Sequence, residues 1–298
     1  MRVLVSGASG LIGSALVPAL RVRGDEVVKL VRRNSSAQDE IAWDSSKGLD
    51  PGKLAGMDAV VNLAGKNVAT RWTRKAKREI LESRVRGTRA IAEAVGTSFR
   101  ASGKPSVFIS ASAIGFYGSR GSEILTEGSS SGDGFLAEVV RGWEQATEPA
   151  RTAGVRVVMP RIGMVLARSG GALAKMLPPF RIGLGGKIGS GEQWMSWITI
   201  TDLVRVFLLA IDNPAVSGVI NAITPNPARN AEFVQSLGEA LHRPAVIPLP
   251  AFAVKTLFGQ MGEETILGSL RVIPNRLQEL NFRFEYPQLL SALERIVG

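Results

Sequence analysis

Apolar and polar positions along the chain follow two periods in turn. Residues 2–6 (RVLVS), 26–31 (EVVKLV), 57–65 (MDAVVNLAG), 106–112 (SVFISAS) and 155–163 (VRVVMPRIG) are short β-branched apolar runs with strand character. A briefer run, IAWD at 41–44, reads as a third strand after the second. Between these runs the spacing turns helical. Leu11, Ile12, Ala15, Leu16, Ala19 and Leu20 share one face over 11–23, and helices are expected over 73–98 and from Gly134 to Ala153. Strands and helices alternate, and several strands are apolar throughout, as in a sheet covered on both faces. The pattern predicts an α/β fold: a Rossmann-type, doubly wound parallel sheet with a smaller C-terminal substrate or lid region.

Past residue 163 the rhythm changes. Glycine-rich RSGGAL and GLGGKIGSG flank an apolar segment, LAKMLPPF, and read as an excursion over about 168–199. A helix is expected over 200–212, a strand over 218–223, and a helix after Asn230, which is expected to cap it. The division expected is a Rossmann domain over 1–228 and a small C-terminal domain over 229–298.

The 298 residues, 45% of them hydrophobic, suffice for a sizeable core. No apolar run approaches the ~18 residues of a membrane span, and the first residues do not read as a signal peptide, so a cytoplasmic protein with no membrane association is expected. The absence of cysteine excludes disulfides, zinc–thiolate sites and thiol catalysis. Net charge is +10. The densest basic stretch, RWTRKAKREILESRVRGTR at 71–89, has no interleaved aromatics to stack bases on, so it reads as a solvated helix face and no nucleic-acid partner is expected.

The stretch VSGASGLIG places glycines at 7, 10 and 13 between a strand and a helix near the start of a βαβ unit. That context suits a dinucleotide. Gly7 allows the tight turn, Gly10 lets a pyrophosphate approach the backbone, and Gly13 lets the helix pack close to the sheet. Ser9, Gly10, Leu11 and Ile12 then lie at the positive end of the helix. The second strand ends in KLVRRNSS, and the nearest acid is Asp39. Arg32 and Arg33 there suit a 2′-phosphate, which makes NADP(H) the expected cofactor.

The G-x-x-G-x-x-G spacing and the strand pattern resemble the extended short-chain dehydrogenase/reductase superfamily. The strings SASAIGFYG (110–118), FLAEVVRGWE (135–144), PRIGMVL (160–166), PFRIGLGGKIGSGEQWMSWITITDL (179–203) and GSLRVIPNRLQELNFRFEYPQLLSAL (268–293) follow in one order. Together they resemble its atypical epimerase family branch, NAD-dependent epimerase/dehydratase-like, which ends in a small domain of unknown function, here about 246–298. The resemblance implies that Leu63, Ala64 and Gly65 lie under the adenosine and phosphates, and that Glu79 and Arg84 approach the NADP. Thr199 departs from the branch, which tends to have histidine there.

Short-chain dehydrogenases usually carry Tyr-x-x-x-Lys on the helix after the fifth strand, where i, i+4 spacing puts both on one face. Here Phe135 and Val139 stand at those places. Neither Tyr117 nor Tyr286 has lysine at +4, so the usual relay is expected to be missing. Ser112 and Tyr117 are the candidates for the polar end of a pocket. Glu138, Lys187 and Glu192 are weaker ones, and His242, at a helix end, reads as a cap or surface residue. Metal-ligand spacing is not found. Two readings stay open: an oxidoreductase or sugar-nucleotide epimerase with a non-standard acid/base, and a catalytically silent NADP(H)-binding regulatory or interaction protein. The small-molecule substrate of the first would be a nucleotide sugar or carbonyl compound, and the protein a monomer or homodimer.

Overall fold

A computed structural model describes residues 1–32, 35–44 and 47–298. The first half alternates as the periodicity predicts: β1 (Arg2–Ser6), α1 (Leu11–Val22), β2 (Glu26–Val31), β3 (Glu40–Ala42), β4 (Ala59–Asn62), α2 (Arg74–Ser102) and β5 (Val107–Ser110). Next come β6 (Ser112–Ala113), β7 (Ile124–Leu125), α3 (Phe135–Gln145), α4 (Glu148–Thr152), β8 (Arg156–Ile162), β9 (Met164–Leu166) and α5 (Gly171–Arg181). Then follow β10 (Trp194–Met195), β11 (Trp197–Thr199), α6 (Ile200–Asp212), β12 (Gly218–Ala222), β13 (Ala228–Arg229) and α7 (Asn230–Ala240). The chain closes with α8 (Ala251–Thr265), β14 (Arg271–Val272), α9 (Asn275–Glu279) and α10 (Leu289–Val297). The helix expected from Gly134 to Ala153 is two, α3 and α4.

The main sheet runs β12-β8-β5-β4-β1-β2-β3, with every pairing parallel and β6 extending it beside β8. Alternation along each strand divides its side chains between two cores. Val3, Val5, Val61 and Ile109 pack with α1 and α6 on one face, while Leu4, Val60 and Phe108 pack with α2 on the other. The chain leaves β1 toward β2 and β3, then returns to β4 on β1's opposite side. The crevice at the carboxyl ends of β1 and β4 is therefore the topological switch point, where ligands of such sheets bind.

A third core joins α5 and Trp197 to α7 and α10, so it draws on both sides of residue 228. Asp202 ties these parts together. Almost fully buried at the start of α6, it accepts the backbone N–H groups of Glu285 (2.8 Å) and Tyr286 (3.0 Å) and pairs with Arg205 at 2.9 Å. Thr199 caps α6 by accepting the Asp202 N–H at 3.0 Å. Asn230 does not cap α7; its Oδ1 instead accepts the Ile188 N–H of the glycine-rich excursion at 2.8 Å. Among the described residues no helix is long and apolar enough to cross a membrane.

Candidate functional site: the crevice at the switch point

Gly7 adopts φ +71, and a Cβ there would lie 2.7 Å from the Leu63 carbonyl carbon. Glycine is thus required twice over, by conformation and by the close passage of the β4 turn. Gly10 is the N-cap residue of α1. Its amide donates to the Gly7 carbonyl at 3.0 Å, and a Cβ added to it would meet only that carbonyl oxygen, at 3.3 Å. No side chain caps α1 and no acid sits in its first turn, so the leading N–H groups, those of Leu11 and Ile12 among them, form a positive end suited to an anion. Ser9 is exposed on the same loop. A Cβ on Gly13 would stand 2.4 Å from the Gly7 carbonyl oxygen and 2.6 Å from the Ala8 Cα. What Gly13 permits is therefore closure of the loop onto its own helix, not the helix–sheet approach expected of it.

Asn62 organises the switch point. Its Oδ1 accepts the Ser6 hydroxyl at 2.6 Å, and its Nδ2 donates to Thr88 at 2.8 Å. One fully buried amide thus links β1, β4 and α2 beneath the loop. Leu63 donates its N–H to the Ser6 carbonyl at 3.1 Å, and Ala64 donates to Asn62 at 3.3 Å. A Cβ on Gly65 would reach 3.1 Å from the Arg84 guanidinium carbon, so the Gly65 backbone lies on Arg84. That guanidinium donates to the carbonyls of Lys66 (2.9 Å) and Ile80 (3.2 Å) and stacks 5.0 Å above the Trp143 ring. Burial pushes its pKa down to about 10, which leaves it charged at neutral pH. Glu79 pairs with Lys66, and that partner holds its carboxyl below the ordinary range. Arg32 is exposed just past β2. Arg33 lies outside the described residues. At the far side, Gly170 and Gly171 press on the Leu11 side chain, which brings the excursion over the first turn of α1.

Beyond β5 lies a buried polar chain. Ser112 donates to Glu144 Oε1 at 2.6 Å, and Arg161 clasps both oxygens of Glu144 at 2.8 Å. The Arg161 guanidinium lies 3.4 Å over the Phe116 ring and donates to the Tyr117 hydroxyl at 3.0 Å. Tyr117 donates its own hydroxyl hydrogen bond to Asn221 Oδ1 at 2.7 Å. Burial works against the Arg161 charge, but Glu144 more than offsets it and the pKa is raised. Burial also pushes the Tyr117 phenol up. Tyr117 is fully buried with its hydroxyl engaged on both sides, so it braces β8 and β12 and does not face a substrate. That corrects the sequence expectation.

Phe135 and Val139 pack with Ile80 and Trp72, the Phe135 and Trp72 rings meeting edge-on at 4.9 Å. The next register on α3, Leu136 and Val140, carries neither tyrosine nor lysine. The α3 N-terminus receives a carboxylate from the C-terminal part of the chain: Glu264 of α8 accepts the N–H groups of Phe135 (3.1 Å) and Leu136 (3.0 Å). Gln260 donates to Glu264 at 2.7 Å and bonds to Lys77 of α2. Sequence reasoning missed Asn62, Glu144, Arg161 and Glu264. The first three are polar residues inside or beside apolar runs, a legible signal; Glu264 had none. Among the described residues no cluster of His, Asp and Glu could hold a metal ion.

A doubly wound parallel sheet with a glycine loop and an uncapped helix at its switch point defines a nucleotide-binding fold of the dehydrogenase and epimerase class. The chain belongs to the NAD dependent epimerase/dehydratase family, whose model matches residues 3–222, and residues 249–296 match a domain of unknown function, DUF1731. It is 41% identical to an epimerase family protein of Mycobacterium bovis over 98% of this chain and 96% of the relative. It also resembles the crystal structure of the human epimerase family protein SDR39U1 with NADPH, at a TM-score of 0.90 and 38% identity over 99% of both chains. A nucleoside-diphosphate sugar epimerase from Corynebacterium glutamicum matches with a TM-score of 0.81 and 39% identity, over 100% of this chain and 58% of that one.

Proposed function

We propose that this chain binds NADP(H) in the switch-point crevice and acts as an oxidoreductase or epimerase-like enzyme without the tyrosine–lysine relay. The observation that carries the reading is the Gly7–Gly10 cradle: Leu63 excludes any side chain at Gly7, while α1 presents an uncapped N-terminus beside Gly10. The residues present fit the cofactor. The loop and the first turn of α1 would hold the pyrophosphate, Arg32 and Arg33 the 2′-phosphate, and Leu63 to Gly65 the adenosine side, with Arg84 and Glu79 beneath. The human relative crystallised with NADPH supports the choice. When bound, NADP(H) supplies hydride transfer. The chain's own contribution would be Ser112, whose hydroxyl is oriented by Glu144 and keeps a lone pair for a substrate hydroxyl. The substrate would be a carbonyl compound or nucleotide sugar.

The apolar packing of Phe135 on Trp72 favours a second reading, an NADP(H)-binding protein without turnover. Two measurements test the proposal. Calorimetry should find NADPH bound more tightly than NADH, with Arg32→Glu removing most of the difference; equal affinities would overturn the cofactor assignment. NADPH oxidation should then be followed with a panel of aldehydes, quinones and nucleotide sugars. Turnover that Ser112→Ala abolishes while NADPH affinity stays unchanged supports the enzyme. No turnover with any of them supports the silent binder.

A further inference from the structure

Ten large hydrophobic side chains stand exposed among the described residues, and seven of them lie within residues 182–184 and 246–258. Val246, Phe252, Ile182 and Leu257 are 78, 72, 71 and 67% exposed. The two segments are distant in sequence and adjacent in space. Ile247 donates its N–H to the Gly185 carbonyl at 3.0 Å, Leu249 donates to that of Lys187 at 2.9 Å, and Arg243 donates to that of Arg181 at 3.0 Å. A Cβ on Gly186 would strike the Ile247 carbonyl, so the contact is close along its length.

The charge of the same segments is one-sided. Residues 168–191 and 241–262 contain Arg168, Lys175, Arg181, Lys187, Arg243 and Lys255 and not one Asp or Glu. Of these, Lys255 is paired, with Glu263 at 3.3 Å. Inside α8, Gly259 turns the backbone to φ 55 and ψ −142, which sets the arm carrying Phe252, Lys255 and Leu257 apart from the end anchored by Glu264. Two acids reach this surface, Glu239, which lines a groove with Lys187, Arg243 and Val246, and Glu263, paired with Lys255, and the cations outnumber them. Exposed aromatic and aliphatic side chains beside a surplus of cations are what an anionic bilayer surface recognises: apolar groups enter the headgroup boundary while Lys and Arg meet lipid phosphates. A water-exposed apolar surface without that role would be a liability.

We propose that this surface, formed by the end of α5, the 243–250 segment and the first arm of α8, docks the protein peripherally on an anionic phospholipid membrane. It needs no span, and the linear sequence splits it in two, which is why hydropathy alone gave no sign of it. The proposal does not depend on the cofactor or the reaction.

The test is co-sedimentation of the full chain with vesicles of phosphatidylcholine alone or with roughly one-third phosphatidylglycerol. Binding to the anionic vesicles should be at least ~tenfold stronger and should weaken with salt. The pair Arg181→Glu and Lys187→Glu should cost ~twenty-fold or more, since each cation near an anionic surface is worth roughly fivefold. Phe252→Ser with Leu257→Ser should cost more than ~tenfold. Melting by circular dichroism checks that the variants fold. Equal binding to both vesicle types, no binding to either, or insensitivity to both variant pairs would overturn the proposal. So would sedimentation velocity showing that the wild type self-associates without lipid and that the apolar pair abolishes it, because a second copy would then be the occupant.

Discussion

Gly10 and Gly13 lie three residues apart in one loop, and the structure separates their roles. A Cβ at 13 would lie 2.4 Å from the Gly7 carbonyl oxygen and 2.6 Å from the Ala8 Cα, both backbone atoms that cannot rotate away. Gly13→Ala should gain about 1 kcal/mol of helix propensity, since position 13 lies inside α1. Against that stands overpacking on rigid backbone, at the upper end of the ~1–3 kcal/mol seen in cores. The clash wins by ~2 kcal/mol. A chain of 298 residues loses roughly 1.5 °C of Tm per kcal/mol, so Gly13→Ala should melt about 3 °C lower. Gly10 is different. Its φ of −76 and ψ of 173 suit any residue, and its added Cβ would meet only a carbonyl oxygen at 3.3 Å. Gly10→Val should cost less than ~1 kcal/mol, mainly as a poorer N-cap, and move Tm by under about 2 °C. Its side chain would stand where the pyrophosphate must approach, so NADPH affinity should fall by about a hundredfold or more. Calorimetric titration and thermal melts on both variants check this. Wild-type NADPH affinity in Gly10→Val, or a larger Tm loss there than in Gly13→Ala, would refute the assignment of the two glycines.

Three further outcomes are expected. Arg32→Glu should erase a NADPH-over-NADH preference of about 1.5–3 kcal/mol, read as tenfold to over a hundredfold in Kd. Tyr117→Phe removes a buried hydroxyl shared by Arg161 and Asn221; it should lower stability by ~1–3 kcal/mol in denaturant melts and leave NADPH affinity in place. Asp202→Ala strands two backbone N–H groups and Arg205; a loss of ~2–4 kcal/mol is expected, with limited proteolysis releasing the C-terminal segment after residue 280 first.

The sheet was legible because it is built from local signals. Apolar runs of strand length separated by helical spacing identify β1 to β5 without knowledge of their neighbours, and parallel pairing follows from the crossovers. The glycine loop was legible for a similar reason, since its three glycines lie within seven residues between a strand and a helix, although the close approach of Leu63 to Gly7 was not. What stayed hidden depended on distant partners. Tyr117 looks like a pocket tyrosine until Asn221, 104 residues on, is seen to accept its hydrogen bond. Asp202 looks like an ordinary acid at the start of a helix until the Glu285 and Tyr286 amides close on it. The apolar surface at 182–184 and 246–258 has the same character, with each half unremarkable by itself.

Glu264 extends this point to the site itself. In the superfamily that the sequence resembles, the tyrosine and lysine of the relay belong to the helix equivalent to α3. Here the N-terminus of that helix is satisfied by a carboxylate from α8, which the DUF1731 match contains, and Gln260 and Lys77 link the same carboxylate to α2. Gly134, at φ +100, leaves room for it: a Cβ there would sit 3.1 Å from Glu264 Oε2. The N-terminus of α3 is thus held by two parts of the chain, and Phe135 adds packing at the place where the resemblance would put a tyrosine. A Phe135→Tyr exchange alone would place a phenol against Trp72 and Ile80 rather than over Ser112, because the Phe135 face of α3 turns toward α2. The Glu264 contact fixes the end of the helix on which those positions sit, so the C-terminal region is tied directly to α3.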